Sequence, residues 1–229
     1  RLFESLQNEE FFLEYQPQIN CDTGKTVGIE ALLRWTSDGT TRVGPDRFIP
    51  ILEQTGLIYD VGLWVLEQAL REHNRLVANG FPPLRVSVNL SVVQFHEEGF
   101  ILDLTKIIKE SQVDPRYLEL EITESFFSEN PTEIIELLYK LKGLGVSIAI
   151  DDFGKGYSSL HRLELVPFNR IKIDKSIVDD ITLETKKIVI VKTIVSLAKA
   201  LMADITAEGV ETKEQLEFMR DIGSDEIQG

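Results

Sequence analysis

Short apolar segments rich in β-branched residues alternate along this chain with longer segments whose apolar residues recur at helical spacing. The pattern predicts strands at residues 85–90, 117–122, 146–150, 170–173 and 205–207. It predicts helices at residues 59–77, 101–108, 131–144, 158–165, 185–202 and 212–222, and a helical turn at residues 45–52. Such regular alternation favours an α/β fold in which a mostly parallel sheet closes into a barrel, rather than an open sheet.

The two ends of the chain complete the strand count. Residues 11–19 and 26–35 also have strand character, and only a short turn separates them. Because a parallel crossover requires a dozen or more residues, we expect these two strands to be antiparallel, with the first preceding the repeat of strands and helices. Residues 225–228 are able to begin one more strand. The total is then about eight, the number in the commonest α/β barrel.

Length and charge narrow the possible functions. With 229 residues the chain can form one sizeable core, and no linker, low-complexity run or charge block divides it, so we expect residues 1–229 to form a single domain. The 24 basic and 38 acidic residues give a net charge of −14, which opposes binding to nucleic acid polymers and to anionic membrane surfaces. A single nucleotide is still able to bind through metal ions.

Cysteine usage and hydropathy indicate the cellular setting. The single cysteine, Cys21, excludes an internal disulfide and, with three dispersed histidines, an ordinary structural zinc site. A reducing, cytoplasmic setting is the simplest interpretation. No apolar run approaches a membrane span, because Lys192 and Lys199 interrupt the longest one. Since the chain begins with Arg1 and stops at Gly229, we expect a fragment of a longer protein, whose membrane anchor could lie outside it.

Polar side chains stand at or near the carboxyl ends of the predicted strands. They are Glu30, Asn89, Glu121, Asp151, Asp152, Lys172, Glu208 and Gln228. In a barrel these ends form one rim, where side chains far apart in sequence converge and where such folds carry their chemistry. Each residue alone also has a structural interpretation, as a solvated strand end, a turn former or a surface charge. Together they would leave many desolvated polar groups on the rim unless a ligand bound there.

Asp151 and Asp152 are central to this rim, because adjacent carboxylates repel each other unless a proton or a cation neutralises them. The alternative is that one of them caps the helix predicted at residues 158–165. The candidate ligands are all oxygens, which suits Mg²⁺ or Mn²⁺ better than zinc. Two such ions bridged by Asp151, about 3.5–4 Å apart, would clamp the attacking and leaving oxygens of an in-line phosphoryl displacement. Phosphodiester hydrolysis is the reaction that this arrangement favours.

Three residues have candidate roles besides metal binding. Lys172 would place a positive charge near the developing phosphorane or the attacking water. Glu208 is the carboxylate best placed to handle a proton. Arg34 is able to bind a phosphate with both arms of its guanidinium, although an arginine after a strand also commonly forms a surface ion pair.

The segment EALLRW at residues 30–35 resembles the signature of the EAL domain family of cyclic di-GMP phosphodiesterases. The resemblance continues across nearly the whole chain, in the family's order, through the segments FIPILEQTG, SVNLSVVQF, LEITES, DDFGKGYSSL, IKIDKSIV, AEGVET and IQG. It implies a modified TIM (β/α)8 barrel with an antiparallel first strand, in agreement with the predicted hairpin. It also implies a further strand and helix after Gly229, so that the C-terminal end is expected to be truncated.

The resemblance further implies hydrolysis of cyclic di-GMP to linear 5'-pGpG with Mg²⁺ or Mn²⁺, in a site for two ions. Matched position by position, the first-metal ligands are Glu30, Asn89, Glu121 and Asp151. Asp151 is shared with the second metal, to which Asp152 also binds. Lys172 matches the lysine that contacts the water or the phosphate, and Glu208 matches the carboxylate proposed as the general base. These positions give Glu208, Lys172 and Asp152 as the catalytic residues.

The remaining matches concern substrate binding and loop position. We expect Arg34, Leu32, Gln228 and Glu211 to bind the substrate, the last two near the metals. Glu124 resembles the glutamate that holds the DDFG loop in place. No catalytic position departs from the family pattern, so the resemblance implies a competent enzyme.

Family members commonly form homodimers through helices beside the DDFG loop and are often fused to sensory or GGDEF domains, so we expect both here. Two other functions stay open. The first is a binding module that senses cyclic di-GMP without cleaving it. The second is another Mg²⁺-dependent barrel enzyme that acts on a phosphate ester. The rim residues alone do not distinguish such an enzyme from a cyclic di-GMP phosphodiesterase.

Overall fold

The computed structural model describes residues 5–6, 8–37, 39–123, 126, 131–155, 160–179, 181 and 185–229. Within these ranges the strands are β1 (Phe11–Asn20), β2 (Thr26–Ser37), β3 (Thr41–Val43), β4 (Arg85–Asn89), β5 (Leu118–Thr123), β6 (Ser147–Phe153), β7 (Arg170–Ile173), β8 (Asp204–Glu208) and β9 (Glu226–Gln228). The helices are α1 (Pro45–Gln54), α2 (Ile58–Ala78), α3 (Val92–Phe95), α4 (Phe100–Ser111), α5 (Pro131–Gly143), α6 (Leu160–Leu165), α7 (Lys175–Val178), α8 (Thr185–Ala200) and α9 (Lys213–Ile222). A 3₁₀ turn at Pro115–Tyr117 leads into β5.

Eight of these strands form a closed barrel. From β2 through β4, β5, β6, β7, β8 and β9 each neighbouring pair is parallel, whereas β1 is antiparallel to both β2 and β9. Closure occurs where Ile19 pairs with Ile227 and Asn20 pairs with Glu226. The predicted α/β barrel with an antiparallel first strand is therefore confirmed. The strand that completes it is β9, so closure does not require the further strand expected after Gly229.

The predicted elements and the observed ones differ in three respects. β6 extends to Phe153, so Asp151 and Asp152 belong to the strand and do not follow it. β3, α3 and α7 were not predicted, because three or four residues are too few to show a period. α6 begins at Leu160, and residues 156–159 before it lie outside the described ranges. The proposal that Asp151 or Asp152 caps this helix therefore stays a prediction.

Local signals explain where the long elements begin and end. Apolar residues of α2 recur on one face, and Val61, Val65, Leu66 and Leu70 are buried there between the helix and the barrel. α9 begins with a capping box, in which Thr212 and Gln215 each accept a hydrogen bond from the other's backbone N–H. The hydrophobic core thus lies outside the barrel, between its strands and the surrounding helices.

Inside the barrel, at the amino-terminal ends of the parallel strands, lies a network of buried ion pairs that we call the floor. Arg85 and Arg170 each contact both Glu119 and Glu226. The N–O distance is 3.0 Å for Arg85–Glu119 and 3.2 Å for each Arg170 pair. Two cations and two anions alternate, so the buried charges of the floor balance, and Arg170 also contacts the exposed Asp204 at 3.1 Å. Gly28 leaves space beside this network, because a Cβ there would lie 3.1 Å from Nη2 of Arg85 and closer still to Oε1 of Gln18, which accepts a hydrogen bond from Arg85.

Removing the charge of Glu119 tests the contribution of the floor to stability. Glu119→Gln leaves two buried arginines short of one counter-charge, and we expect the free energy of unfolding to fall by about 3 kcal/mol. Urea denaturation of the metal-free protein measures this. The matched control is Glu110→Gln, which removes an exposed carboxylate 4.0 Å from Lys106 and should change stability by less than about 0.5 kcal/mol. Equal effects of the two substitutions would contradict a stabilising floor.

Candidate functional site

Strand periodicity places a second polar layer directly above the floor. Side chains two residues apart on a strand face the same way. Each of three strands therefore contributes one residue to the floor and the residue two positions later to the layer above it. The pairs are Glu119 and Glu121 on β5, Arg170 and Lys172 on β7, and Glu226 and Gln228 on β9. All six are buried. Residues predicted from strand ends therefore share one chamber inside the barrel.

Lys172 lies at the centre of this upper layer. Its Nζ is 2.5 Å from Glu121 Oε2, 2.8 Å from Glu208 Oε1, 3.1 Å from Glu30 Oε2 and 3.3 Å from Asp151 Oδ1. The side chain is 0% exposed, so the alternative interpretation of Lys172 as a surface charge is wrong. Four carboxylates face one ammonium, which leaves an excess of three negative charges when all are ionised.

Glu30 lies in the middle of β2 rather than at its carboxyl end. β2 continues to Ser37 because it pairs with β3 beyond the rim. The sequence therefore does not show that Glu30 lies well before the carboxyl end of its strand. Nδ2 of Asn89 donates to one oxygen of Glu30 at 2.8 Å, and Nε2 of Gln228 donates to the other at 2.6 Å. Burial works to raise the pKa of Glu30, but Lys172 and these hydrogen bonds outweigh it, so the pKa is lowered.

The other three carboxylates around Lys172 have raised pKa values. Burial raises the pKa of Glu208 to about 7 and that of Glu121 well above its ordinary value, in each case against the opposing charge of Lys172. Burial also raises the pKa of Asp151. Among the described side chains, Glu121 Oε1 and Asp151 Oδ1 are buried without a hydrogen-bond partner, although Asp151 keeps its ion-pair contact with Lys172. Excess negative charge and unsatisfied oxygens are what a divalent cation would relieve.

A β-bulge gives Asp152 a different orientation from that of an ordinary strand residue. The register between β6 and β7 shifts between Ile150 and Phe153, and Asp152 has a φ of 55°. Asp152, Asp174 and Glu208 each offer a carboxylate oxygen, and these oxygens lie within 4.8 Å of one another. This arrangement of acidic groups is able to hold a metal ion.

Asp174 is a residue that sequence reasoning missed. It follows β7 directly, two residues after Lys172, and that spacing is the signal that could have indicated it. Its Oδ1 caps α7 by accepting from the backbone N–H of Ser176 at 2.9 Å. Nζ of Lys155 lies 2.9 Å from Asp174 Oδ2 and 2.6 Å from Asp152 Oδ1.

The predicted substrate-binding residues line two cavities at the rim. One, of about 620 Å³, is lined in part by Leu32, Arg34, Asn89 and Asp152. The other, of about 310 Å³, is lined in part by residues of the Lys172 layer and by the predicted contacts Leu32, Glu211 and Gln228. Glu124 lies outside the described residues, so its predicted role stays a prediction.

Two of these residues already have partners in the structure. Nε of Arg34 donates to Oε2 of Glu14 at 2.8 Å, which is the ion pair given above as the alternative to a phosphate contact. Glu211 pairs with Lys175 at 2.6 Å. Both arrangements are partly exposed, so either side chain can change partners at modest cost.

The fold and the site together define an α/β barrel with an acidic chamber, suited to a divalent metal, at the carboxyl ends of its parallel strands. A family model described as EAL domain matches residues 1–229. The chain therefore belongs to the EAL domain family, as its motifs predict.

Named relatives support this assignment. The bifunctional diguanylate cyclase/cyclic di-GMP phosphodiesterase MucR of Pseudomonas aeruginosa is 36% identical over 228 residues, which cover 100% of this chain and 33% of MucR. The cyclic di-GMP phosphodiesterase NbdA of the same organism is also 36% identical over 228 residues, covering 100% of this chain and 29% of NbdA. The chain thus spans about a third of these relatives.

A solved structure of the PaMucR phosphodiesterase in complex with c-di-GMP gives a TM-score of 0.94 at 36% sequence identity. The match covers 100% of this chain and 92% of that one. The similarity extends over the whole barrel, including β1 and β9.

The raised pKa of Glu208 predicts a pH dependence of stability in the metal-free protein. Because the folded pKa of about 7 exceeds the ordinary value of 4.5, the fold favours the protonated carboxyl, and stability is lost as the pH rises from about 4.5 to about 7. Urea unfolding in a chelator at about pH 5 and about pH 8 measures this. The wild type should lose about 2 kcal/mol more than Glu208→Gln between these values. An equal loss in both proteins would contradict the assignment of the titration to Glu208.

Proposed function

We propose that this chain hydrolyses cyclic di-GMP to linear 5'-pGpG in a reaction that depends on Mg²⁺ or Mn²⁺. The observation that carries the proposal is the buried chamber around Lys172, where four carboxylates face one ammonium and two oxygens find no hydrogen-bond partner in the part of the chain that the structure describes. This chamber occurs in a barrel similar over its whole length to the phosphodiesterase PaMucR. Bound cations would offset the repulsion between these acidic oxygens and an anionic substrate.

The metal-binding residues follow from the chamber. Glu30, Asn89, Glu121 and Asp151 would hold a first ion, and Asp151 with Asp152 would hold a second, for which the neighbouring Asp174 offers a further carboxylate oxygen. All are oxygen ligands of the kind that Mg²⁺ and Mn²⁺ prefer. Bound ions supply Lewis acidity at the phosphoryl oxygens and make water more acidic.

Residues of the chain have proposed roles in catalysis and substrate binding besides holding the metal ions. Lys172 is held rigidly by its four carboxylate partners, so it presents a fixed positive charge toward the phosphate or the attacking water. Glu208 is the proposed general base, because its carboxylate lies 2.8 Å from Lys172 and lines the smaller rim cavity together with Asp151. Asp152 completes the proposed catalytic group. The substrate would be bound in the two rim cavities by Arg34, Leu32, Gln228 and Glu211.

The setting of this domain is part of the proposal. We propose that residues 1–229 act as one domain, that it forms a homodimer, and that it is fused in the complete protein to sensory or GGDEF domains. The short share of MucR and NbdA that the chain covers supports the fusion. A cytoplasmic location fits an enzyme of a soluble nucleotide. Among the described residues, no helix has both the length and the apolar character needed to cross a bilayer.

Turnover with matched variants tests the proposed function. The protein should convert cyclic di-GMP to 5'-pGpG with Mg²⁺ or Mn²⁺ and stop when a chelator is added, as followed by chromatography of the nucleotides. Glu208→Gln should keep substrate binding and lose about 100-fold or more in kcat, since it removes the general base. Glu30→Gln should lose turnover together with metal binding, which calorimetry detects.

The outcomes of this experiment separate the competing functions. Tight binding of cyclic di-GMP with no product would select the sensor module. Hydrolysis of other phosphate esters in preference to cyclic di-GMP would select a different barrel enzyme. Full activity of Glu208→Gln would remove the proposed general base.

Substitution of Arg34 tests whether it binds a phosphate or serves only as a partner of Glu14. If Arg34 contacts the substrate equally in the ground and transition states, Arg34→Gln should raise KM about tenfold with kcat nearly unchanged. Glu14→Gln, the control, frees Arg34 from its ion pair and should leave KM unchanged or lower it. An unchanged KM in Arg34→Gln would mean that the ion pair is the main role of this arginine.

A further inference from the structure

Two lysines contact the acidic groups of the site, and they differ in how firmly the fold holds them. Lys172 is 0% exposed and is enclosed by four carboxylates, so it cannot leave without unfolding. The side chain of Lys155 is 53% exposed and contacts Asp152 and Asp174 from the solvent side. One positive charge is therefore a permanent part of the chamber, and the other is removable.

We propose that Lys155 is a tethered cation that competes with the second divalent ion for Asp152 and Asp174, so that the second ion binds only after Lys155 is displaced. This inference rests on the proposed metal dependence and adds a device that sets how much metal the site requires. Nothing in the catalytic scheme above uses Lys155, and the family resemblance assigns it no role.

The geometry places Lys155 on the oxygens that a second ion would need. Its Nζ contacts Asp152 Oδ1 and Asp174 Oδ2, and these two residues, with Glu208, make up the group whose oxygens lie within 4.8 Å of one another. Asp174 has one oxygen left for a cation, Oδ2, because Oδ1 accepts the hydrogen bond from Ser176 that caps α7. An ammonium and a metal ion cannot both bind the remaining oxygen in the same way. Their binding is therefore competitive.

The backbone conformation just before Lys155 positions its side chain. Gly154 has a φ of 100°, and a Cβ at this position would lie 2.1 Å from Cδ1 of Ile177, so glycine is required there. The N–H of Lys155 donates to the carbonyl oxygen of Asp152 at 3.3 Å, which closes a turn. This turn keeps the lysine beside the two carboxylates and raises its local concentration there.

Partial exposure limits the strength of this competition. Lys155 is half exposed in both contacts, although its partner Asp174 is buried, and ion pairs with one exposed partner are individually weak. Two of them together correspond to about a tenfold reduction in the affinity of the second ion. A cation of higher charge density can still displace the lysine at millimolar concentrations, so the effect would set a threshold rather than block the site.

A titration with Mn²⁺, followed by the loss of the free-ion electron paramagnetic resonance signal, tests the proposal without reference to turnover. Lys155→Met keeps the length of the side chain and removes the charge, and it should bind the second Mn²⁺ about tenfold more tightly while the first binds as in the wild type. Lys155→Arg keeps the charge and should resemble the wild type. Lys106→Met makes the same change in net charge on α4, at an exposed pair with Glu110, and should have no effect.

The results distinguish this inference from the proposed function. An unchanged second affinity in Lys155→Met, or an equal gain in Lys106→Met, overturns the inference even if the wild type hydrolyses cyclic di-GMP. A selective gain in Lys155→Met supports it even if no turnover is found, in which case the proposed function fails alone. If neither the wild type nor Lys155→Met binds any Mn²⁺, both are wrong.

Discussion

The balance of charge inside the barrel is the constraint on which the rest of the structure depends. A barrel interior is normally filled with branched apolar side chains, whereas here it holds two layers of polar and ionisable groups. The floor is neutral in its buried charges, because two arginines alternate with two glutamates. The layer above it is not, since the ammonium of Lys172 faces four carboxylates. The floor can be complete within the protein, but the upper layer is a reason for the protein to bind cations.

The two layers are connected through the strands that carry them. Glu119 in the floor and Glu121 in the site are two residues apart on β5, and Arg170 and Lys172 have the same relation on β7. A strand that shifted by one residue would turn both layers outward at once. The ion pairs of the floor therefore hold the register that positions the residues around Lys172.

The sequence predicts the order of elements well, because alternation between periods of two and 3.6 residues is strong in this chain. It predicts β7 with both ends correct, and it places the main acidic residues on one rim. The position of Glu30 in the middle of β2 and the partners of Lys172 could not be predicted, since both depend on how far β2 extends and how the barrel closes. The orientation of Asp152 depends on a bulge with no local sequence signal. The contacts of Lys155 required the same three-dimensional information, whereas the spacing of Asp174 from Lys172 is a sequence signal that the prediction did not use.

The site depends on the junction between the first strand, β1, and the last strand, β9. β9 meets β1 only at Ile19–Ile227 and Asn20–Glu226, a short ladder compared with the one that joins β1 to β2. Yet Gln228, on β9, holds one oxygen of Glu30 and also donates to Gln16 on β1. Loosening of this junction would remove one of the hydrogen-bond donors to Glu30, which Asn89 and Lys172 also contact, while most of the hydrophobic core stayed intact. Disturbance of the C-terminal strand would therefore reach the acidic chamber before it unfolded the barrel.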